Sequence, residues 1–446
     1  LCIITEIDVS ADTIGIGMIG LGTVGGGVAK LLREQADLYA KRTGKRIELR
    51  RVLVRDVAKA KASGLVDPAI VTDDPEQIIS ADDIDVVVEV AGGVEPMSSL
   101  LTFALEHGKH VVTANKSMLA EKGPELFATA RQNGVAIGFE ASCGGGIPCV
   151  TALTCGLMAN RIDSLFGILN GTCNYILTEM TSAGKSYAQA LCEAQEAGFA
   201  EADPRLDVSG ADAAQKLAVL ASLAFGVKIA GSDVPTIGVD TLDLKDIGFG
   251  EELGYDVKLL AIAERWPGEK WVNVAVQPCF IKKDELLAQV GGSYNALSVH
   301  GHAVGHTLYY GRGAGALPTA SAVVSDLLGI VSGWLPAAFA NLHLTPDLTA
   351  AAPLLDRADT ESAYYLRMET LDEPGVMAKV TTILGNKGIS LSAVLQHESK
   401  AGEVVSLVVK THMTRLGDVE AAAREIAKLA PIRGEPVIIR VIEMPA

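Results

Sequence analysis

The chain has fewer basic than acidic residues, few aromatic residues, no CxxC pair and no long uninterrupted apolar run. Each absence narrows what it can do. Asp and Glu outnumber Lys and Arg by 54 to 38, for a net charge of −16, and no basic stretch offsets that balance. The balance argues against a general nucleic-acid role, whereas an anionic cofactor needs only local positive groups and backbone amides. The seven cysteines (Cys2, Cys143, Cys149, Cys155, Cys173, Cys192 and Cys279) are odd in number and sit mostly in apolar runs. They read as reduced, buried thiols of a cytoplasmic protein, not as a disulfide framework. The opening LCIITEIDVSADTIG lacks the basic start and apolar core of a secretory leader, and the missing initiator Met leaves the true start open.

What is present is ample material for folded cores. Apolar residues make up 49% and charged residues 21% of 446 residues, a length that predicts about three domains. Strands are expected over 13–20, 46–54, 85–93, 109–116 and 135–141, with helices over 24–39, 97–107 and 118–133. That alternation predicts an α/β domain over 1–143: a doubly wound, Rossmann-type parallel sheet with right-handed crossovers. Residues 144–345 read as an α+β domain with strands at 164–169 and 271–281. It also holds a Gly-rich run, VHGHAVGHTLYYGRGAGALP, and a helix over 320–328 leading back to the first domain. A Pro/Ala/Thr-rich linker is expected over 346–361. Residues 362–446 order as βαββαβ, a small ferredoxin-like domain.

Two overlapping GxGxxG matches open the chain, Gly15-Gly17-Gly20 and Gly20-Gly22-Gly25. The first lies inside the strand. The second falls where strand gives way to helix, so Gly20, Gly22 and Gly25 are the candidates for a dinucleotide pyrophosphate, lined by Leu21, Thr23 and Val24. At the next strand end stand Arg55 and Asp56. An acid there would hold a ribose 2′-hydroxyl and an arginine a 2′-phosphate, so the pair is ambiguous; the reading favours NADP, with NAD also used. Gly92 (in AGG) and Lys116 (in TANK) stand at further carboxyl ends of strands, where open α/β sheets bind ligands.

FEASCGGGIP, 139–148, runs a strand into a glycine loop whose carbonyls, with Glu140, could hold sodium or potassium. A plain hinge is the alternative. LNGTCNYI, 169–176, offers Thr172 and Asn174 to a substrate. His300, His302 and His306 lack metal-pair spacing and read as loop residues. The stretch AEADPRLDVSGADAAQK, 200–216, sets Glu201, Asp203, Asp207, Asp212 and Lys216 ahead of an apolar helix. Asp212 and Lys216, four apart on that helix, share a face; alone, such a pair is usually a solvated ion pair.

Taken in order, GLGTVG, VVTANK, FEASCGGGIP, LNGTCNYI, GFAEADPRLDVSGADAAQK and YGRGAGALPTASAV resemble the homoserine dehydrogenase family, in its long form. That form carries a C-terminal ACT domain, here matched by LDEPGVMAKVTTILGNKGISLSAVLQ. The resemblance runs from about Ile14 to Glu443; the segment before Thr13 has no counterpart in it. It implies reversible NAD(P)H-dependent reduction of L-aspartate 4-semialdehyde to L-homoserine, in threonine, methionine and isoleucine biosynthesis. It further implies that Lys216 is the proton donor, with Asp212 beside it, and that Glu201 and Asp212 bind the amino acid. Gly198 and Gly313 would touch the cofactor, next to Lys116. A monovalent cation would be held by Glu140 and the carbonyls of Cys143, Gly145 and Ile147. A homodimer or homotetramer and an L-threonine effector at the ACT domain are also expected. The rivals are another ACT-bearing dehydrogenase, which would need a catalytic histidine, and a non-catalytic amino-acid sensor.

Overall fold

In a computed structural model, residues 12–265, 271–398, 400 and 402–445 are described. They form two compact units, each built from several segments of the chain. The first takes residues up to Ile162, with Ala214–Val234 and Asn295–Ala352; the second takes Asp163–Ala213, Pro235–Tyr294 and the chain from Pro353 onward. The strands are β1 (Thr13–Ile19), β2 (Arg46–Leu53), β3 (Val71–Thr72), β4 (Val86–Glu89), β5 (His110–Thr113) and β6 (Ile137–Gly138). Then come β7 (Ile162–Ile168), β8 (Tyr255–Arg265), β9 (Val272–Lys282), β10 (Tyr294–Gly301) and β11 (Gly305–Arg312). The last are β12 (Glu361–Leu371), β13 (Leu391–Gln396), β14 (Val404–Thr411), β15 (Thr414–Arg415) and β16 (Ile432–Ile442).

In the first unit, β1 to β6 form one sheet in the order β3-β2-β1-β4-β5-β6, with every pair parallel. The order reverses at β1/β4, the switch point where doubly wound sheets bind nucleotides. Ile16, Met18, Val86, Val87, Val88, Val111 and Val112 are all buried, as expected of strands covered on both faces. The helix expected over 24–39 is two, Thr23–Glu34 and Ala36–Thr43, because Gln35 leaves helical geometry with ψ at 17°. Helix Ala316–Val331 extends the one expected at 320–328 and packs against the first helix at Gly27. A Cβ there would lie 2.6 Å from the Ala316 carbonyl oxygen, so the two helices meet at van der Waals contact only through glycine. β10 and β11 pair as a hairpin.

In the second unit the strand order is β7-β8-β9-β16-β12-β14-β13. Its C-terminal part is the expected βαββαβ, with helices Val376–Asn386 and Leu416–Ile426 covering one face. Short β15 adds a second pairing to β12. The β16 edge is already covered within this chain, since Arg440, Val441 and Ile442 pair in parallel with Cys279, Phe280 and Ile281 of β9. The stretch expected as a linker is held by backbone bonds. Ala350 and Ala352 bond Lys228 in the first unit, and Pro353 and Leu355 bond Val272 in the second.

Candidate active site

The glycines at the β1 carboxyl end divide three tasks. Gly20 has φ of 102°, and a Cβ on it would sit 2.9 Å from the Ala91 nitrogen. A Cβ on Gly25 would press to 2.2 Å of the Gly20 carbonyl oxygen, so this glycine brings the helix against the strand end. Around Gly22 nothing lies within 4 Å, which leaves a pyrophosphate room to approach. Gly15 and Gly17 are instead packed inside the strand layer against Asp83 and Ile78, as expected of the first GxGxxG match.

Beside this turn, Glu89 ends β4 fully buried. Its carboxylate accepts from the amides of Ala91 and Gly92 at 2.9 and 2.8 Å, and from Thr113 Oγ1 at 2.7 Å. Those bonds end the strand at Glu89, not at 93, and shape the turn whose Gly92 and Gly93 both have positive φ. Asn115 donates to the Gly93 carbonyl at 2.6 Å and caps the helix Lys116–Gln132 by accepting from Met118. Lys116 is thereby the first residue of that helix. Glu89 and Asn115 are site-building residues that sequence reasoning passed over; each closes a strand beside a turn already singled out.

At the end of β2, Arg55 is exposed, and Asp56 caps the helix Val57–Ala62 by accepting from the Lys59 amide at 2.9 Å. The acid of this ambiguous pair is thus engaged by its own helix.

The glycine loop is tied from several sides. Glu140 is buried, and its two carboxylate oxygens accept from the amides of Val150 and Thr151 at 2.8 and 2.7 Å. Burial holds its carboxyl above the ordinary value, opposed by those same bonds. The Glu140 amide donates to Asp326 at 2.8 Å, and burial followed by the Glu140 charge pushes the Asp326 carboxyl well up. Gly144 and Gly145 have positive φ, and a Cβ on Gly145 would collide with the Gly313 carbonyl at 2.4 Å. The structure therefore brings Gly145 and Gly313 together. A cavity of about 400 Å³ opens beside the loop, lined in part by Glu140, Gly146, Ile147 and Asp326. Among the described residues, no hydrogen bond ends on the carbonyls of Cys143 or Gly145, whereas that of Ile147 accepts from Cys149. Burial pushes the Cys143 thiol up to about 12, so its sulfur stays protonated, 3.7 Å from the Lys216 carbonyl oxygen.

Helix Ala211–Phe225 places Asp212 in its first turn and Lys216 one turn later. Both are buried, with 4% and 9% exposure, which sets them apart from a solvated surface pair. In the second unit Asn170 caps the helix Gly171–Ala183 through Cys173. Its Nδ2 donates to Asp207 at 2.8 Å and to Asp212 at 2.9 Å. Thr172 donates to the Phe199 carbonyl at 2.6 Å and approaches Asp207 at 3.4 Å. The Nδ2 of Asn174 donates to the carbonyls of Val290 and Tyr294, both at 3.1 Å, while its buried Oδ1 has no partner among the described residues. Glu201 is exposed, and Asp203 is engaged by Arg205, which holds its carboxyl down to about 2. Gly198, with φ of 74°, is exposed two residues beyond the helix Tyr187–Glu196. Asn170 was not singled out from sequence, although it lies within a motif that was, and Asp207 was named among the carboxylates without a role of its own.

Two of the three histidines, His300 and His306, are strand residues, not loop residues. His300 lies on β10 and His306 on β11, with rings stacked at 4.5 Å and Ser298 Oγ within hydrogen-bond distance of both; only His302 occupies the turn. Alternation of small and apolar residues over Ala296–Val299 marks β10, a signal that the glycines nearby obscured.

A parallel sheet with a dinucleotide turn, a buried acid–lysine pair and a C-terminal ferredoxin-like module together define an NAD(P)-dependent oxidoreductase with an ACT domain. Comparison with known proteins gives the family. Residues 148–328 match the profile described as Homoserine dehydrogenase, 20–140 its NAD binding domain and 364–431 the ACT domain. The homoserine dehydrogenase of Pseudomonas aeruginosa is 41% identical over 433 residues, covering 96% of this chain and 99% of that one. That of Synechocystis sp. is 42% identical over 439 residues, with 96% and 100% covered. A crystal structure of a homoserine dehydrogenase from Thiobacillus denitrificans shares the fold with a TM-score of 0.91 at 42% identity, covering 97% and 99%. This chain belongs to the homoserine dehydrogenase family. Among the described residues, no single helix is long and apolar enough to cross a membrane.

Proposed function

We propose that this chain reduces L-aspartate 4-semialdehyde reversibly to L-homoserine, with NADPH preferred and NADH also used, in the cytoplasm. The observation that carries this reading is the buried Asp212 and Lys216, one turn apart on a helix whose acid is fixed by Asn170. Bound nicotinamide supplies the hydride that reduces the aldehyde carbon. Lys216 meets the charge that develops on the aldehyde oxygen as its π pair is displaced, and donates a proton there. The neutral amine left behind is reprotonated from solvent. Asp212, one turn earlier on the same helix, orients the ammonium. Glu201, exposed and acidic, receives the substrate ammonium, and Thr172 helps to shape the same site.

Support for NADPH comes from Arg55, exposed at the β2 end, while Asp56 is spent on its helix cap. Gly20, Leu21, Gly22, Thr23, Val24 and Gly25 would cradle the pyrophosphate, with Gly92, Lys116, Gly198 and Gly313 completing cofactor contacts. The residues of the glycine loop suit a sodium or potassium ion. Glu140 supplies a buried carboxylate, and the carbonyls of Cys143 and Gly145 accept no hydrogen bond among the described residues. Ile147 would add a third carbonyl.

For regulation, the turn Asp372–Gly375 precedes the helix Val376–Asn386, and its amides suit the carboxylate of an L-threonine effector. Assembly into a homodimer or homotetramer is supported by β13, which ends the sheet on the side away from β9. NADPH oxidation with the semialdehyde or a 2-oxo acid, set beside NADP+ reduction with prephenate, tests the reading. Turnover with the semialdehyde alone is expected; turnover with only another substrate would overturn it.

A further inference from the structure

Two helices carry the lysines of the proposed reaction. Lys116 opens the helix Lys116–Gln132, and Lys216 sits in the second turn of the helix Ala211–Phe225. The residues next to these lysines join the two helices. Ser117 Oγ donates to Gln215 Oε1 at 2.9 Å, and both residues belong to the first unit. Each side chain is half-buried.

Behind this bridge the helices meet through apolar side chains with space left over. A cavity of about 50 Å³ is lined by Leu119, Ala120 and Phe127 from one helix and by Val219 and Leu223 from the other. Apolar contact is non-directional, and a contact with a void in it leaves two helices room to slide. A hydrogen bond has a preferred distance and angle, so it sets the register that the apolar contact leaves open. Register matters at this end of the helices, because a shift of about 1 Å in a reacting group can cost about a hundredfold in rate.

We propose that Ser117 and Gln215 are positioning residues, whose hydrogen bond fixes the spacing between Lys116, beside the cofactor, and Lys216, the proton donor. They act through the lysines and not on the substrate. The inference rests on the roles given to those lysines under the proposed function, and it adds the contact that keeps them in step.

Single-turnover NADPH oxidation by the full chain at saturating semialdehyde tests this. Ser117→Val and Ser117→Thr have nearly the same shape and differ in the hydroxyl, so packing is common to both and the hydrogen bond is not. Ser117→Val should slow the chemical step about tenfold, whereas Ser117→Thr should stay within about twofold of the parent. Gln215→Met keeps the stem, loses the amide and should match Ser117→Val. The double variant Ser117→Val/Gln215→Met should be no slower than either single one, because both remove the same contact. NADPH affinity should hold within about twofold throughout.

Parental rates in Ser117→Val and Gln215→Met would overturn the proposal. Slowing that multiplies in the double variant, or equal slowing in Ser117→Val and Ser117→Thr, would overturn it too, since either assigns the two side chains to separate packing. A loss of NADPH affinity in step with rate would assign the contact to the fold. A parent chain that turns over the semialdehyde beside an unaffected Ser117→Val defeats this inference alone. A parent chain with no such turnover defeats the catalytic reading, and this inference with it.

Discussion

Asn170 donates a 2.9 Å hydrogen bond to the buried carboxylate of Asp212, from the same carboxamide nitrogen that holds Asp207 at 2.8 Å. One side chain thus keeps two acids apart while its oxygen caps a helix. Asn170→Ala should lose the cap, worth about 1 kcal/mol, and leave two carboxylates facing each other without a shared donor. Turnover should fall by at least about tenfold, as expected when a positioning hydrogen bond to the proton donor's partner is lost. Asn170→Asp keeps a capping acceptor but not the donor. Urea unfolding and kcat measured on both variants separate the roles; normal turnover in Asn170→Asp would show that the donor does not set Asp212.

Arg55 and Asp56 make a second prediction. Arg55→Ala should raise the KM for NADPH much more than that for NADH, because only the former carries the 2′-phosphate. Asp56→Ala should instead cost stability, about 1 kcal/mol from the lost N-cap, with little change in cofactor ratio. Equal weakening of both cofactors in Arg55→Ala would assign that residue to the fold.

The C-terminal module is joined to the rest of its unit by a buried ion pair. Arg367 contacts Asp246 at 2.6 and 2.9 Å, and Tyr365 donates to the same carboxylate at 2.9 Å. Arg367→Leu leaves Asp246 charged and under-paired, at an expected cost of about 3–5 kcal/mol. Asp246→Leu combined with Arg367→Leu should recover much of that loss. A chain cut before β12 would suffer the same exposure and would also uncover the β9 edge. Threonine binding is therefore best measured on the full chain, and calorimetry showing none would leave the ACT domain as an assembly module.

Asp326 predicts a pH dependence. Its carboxyl is held well above the ordinary value by burial and then by Glu140, so the folded chain holds that proton more tightly than the unfolded one. The stability tied to it is complete below the ordinary carboxylate range, about pH 4, and is lost as pH rises through the raised value. Asp326→Asn removes the titration yet keeps an acceptor for the Glu140 amide. Denaturant unfolding from about pH 5 to about pH 8 should show a flatter profile for the variant. Parallel profiles would mean that Asp326 ionises without cost.

Much of this was legible because local pattern and long-range demand agree. The apolar runs at 13–20 and 85–93 must be buried on both faces, and glycines at 20, 22 and 25 can only serve a tight turn. The acid–lysine spacing at Asp212 and Lys216 is a property of any helix. What escaped depended on contacts distant in sequence. Asn174 sits in the right motif, but its amide is captured by carbonyls more than a hundred residues away. The hairpin β10–β11 was hidden by its glycines, and the covering of β16 by β9 joins segments whose pairing no local pattern encodes. The strand expected to reach 93 stops at Glu89 because that side chain takes the next two free amides itself.

The central claim is that Lys216 delivers the proton in semialdehyde reduction, and its most direct test compares the parent chain with Lys216→Ala. Single-turnover NADPH oxidation with L-aspartate 4-semialdehyde should slow by about a hundredfold or more in the variant, while NADPH binding, read by fluorescence, stays within about twofold. A variant that binds NADPH normally and turns over at the parental rate would contradict the account.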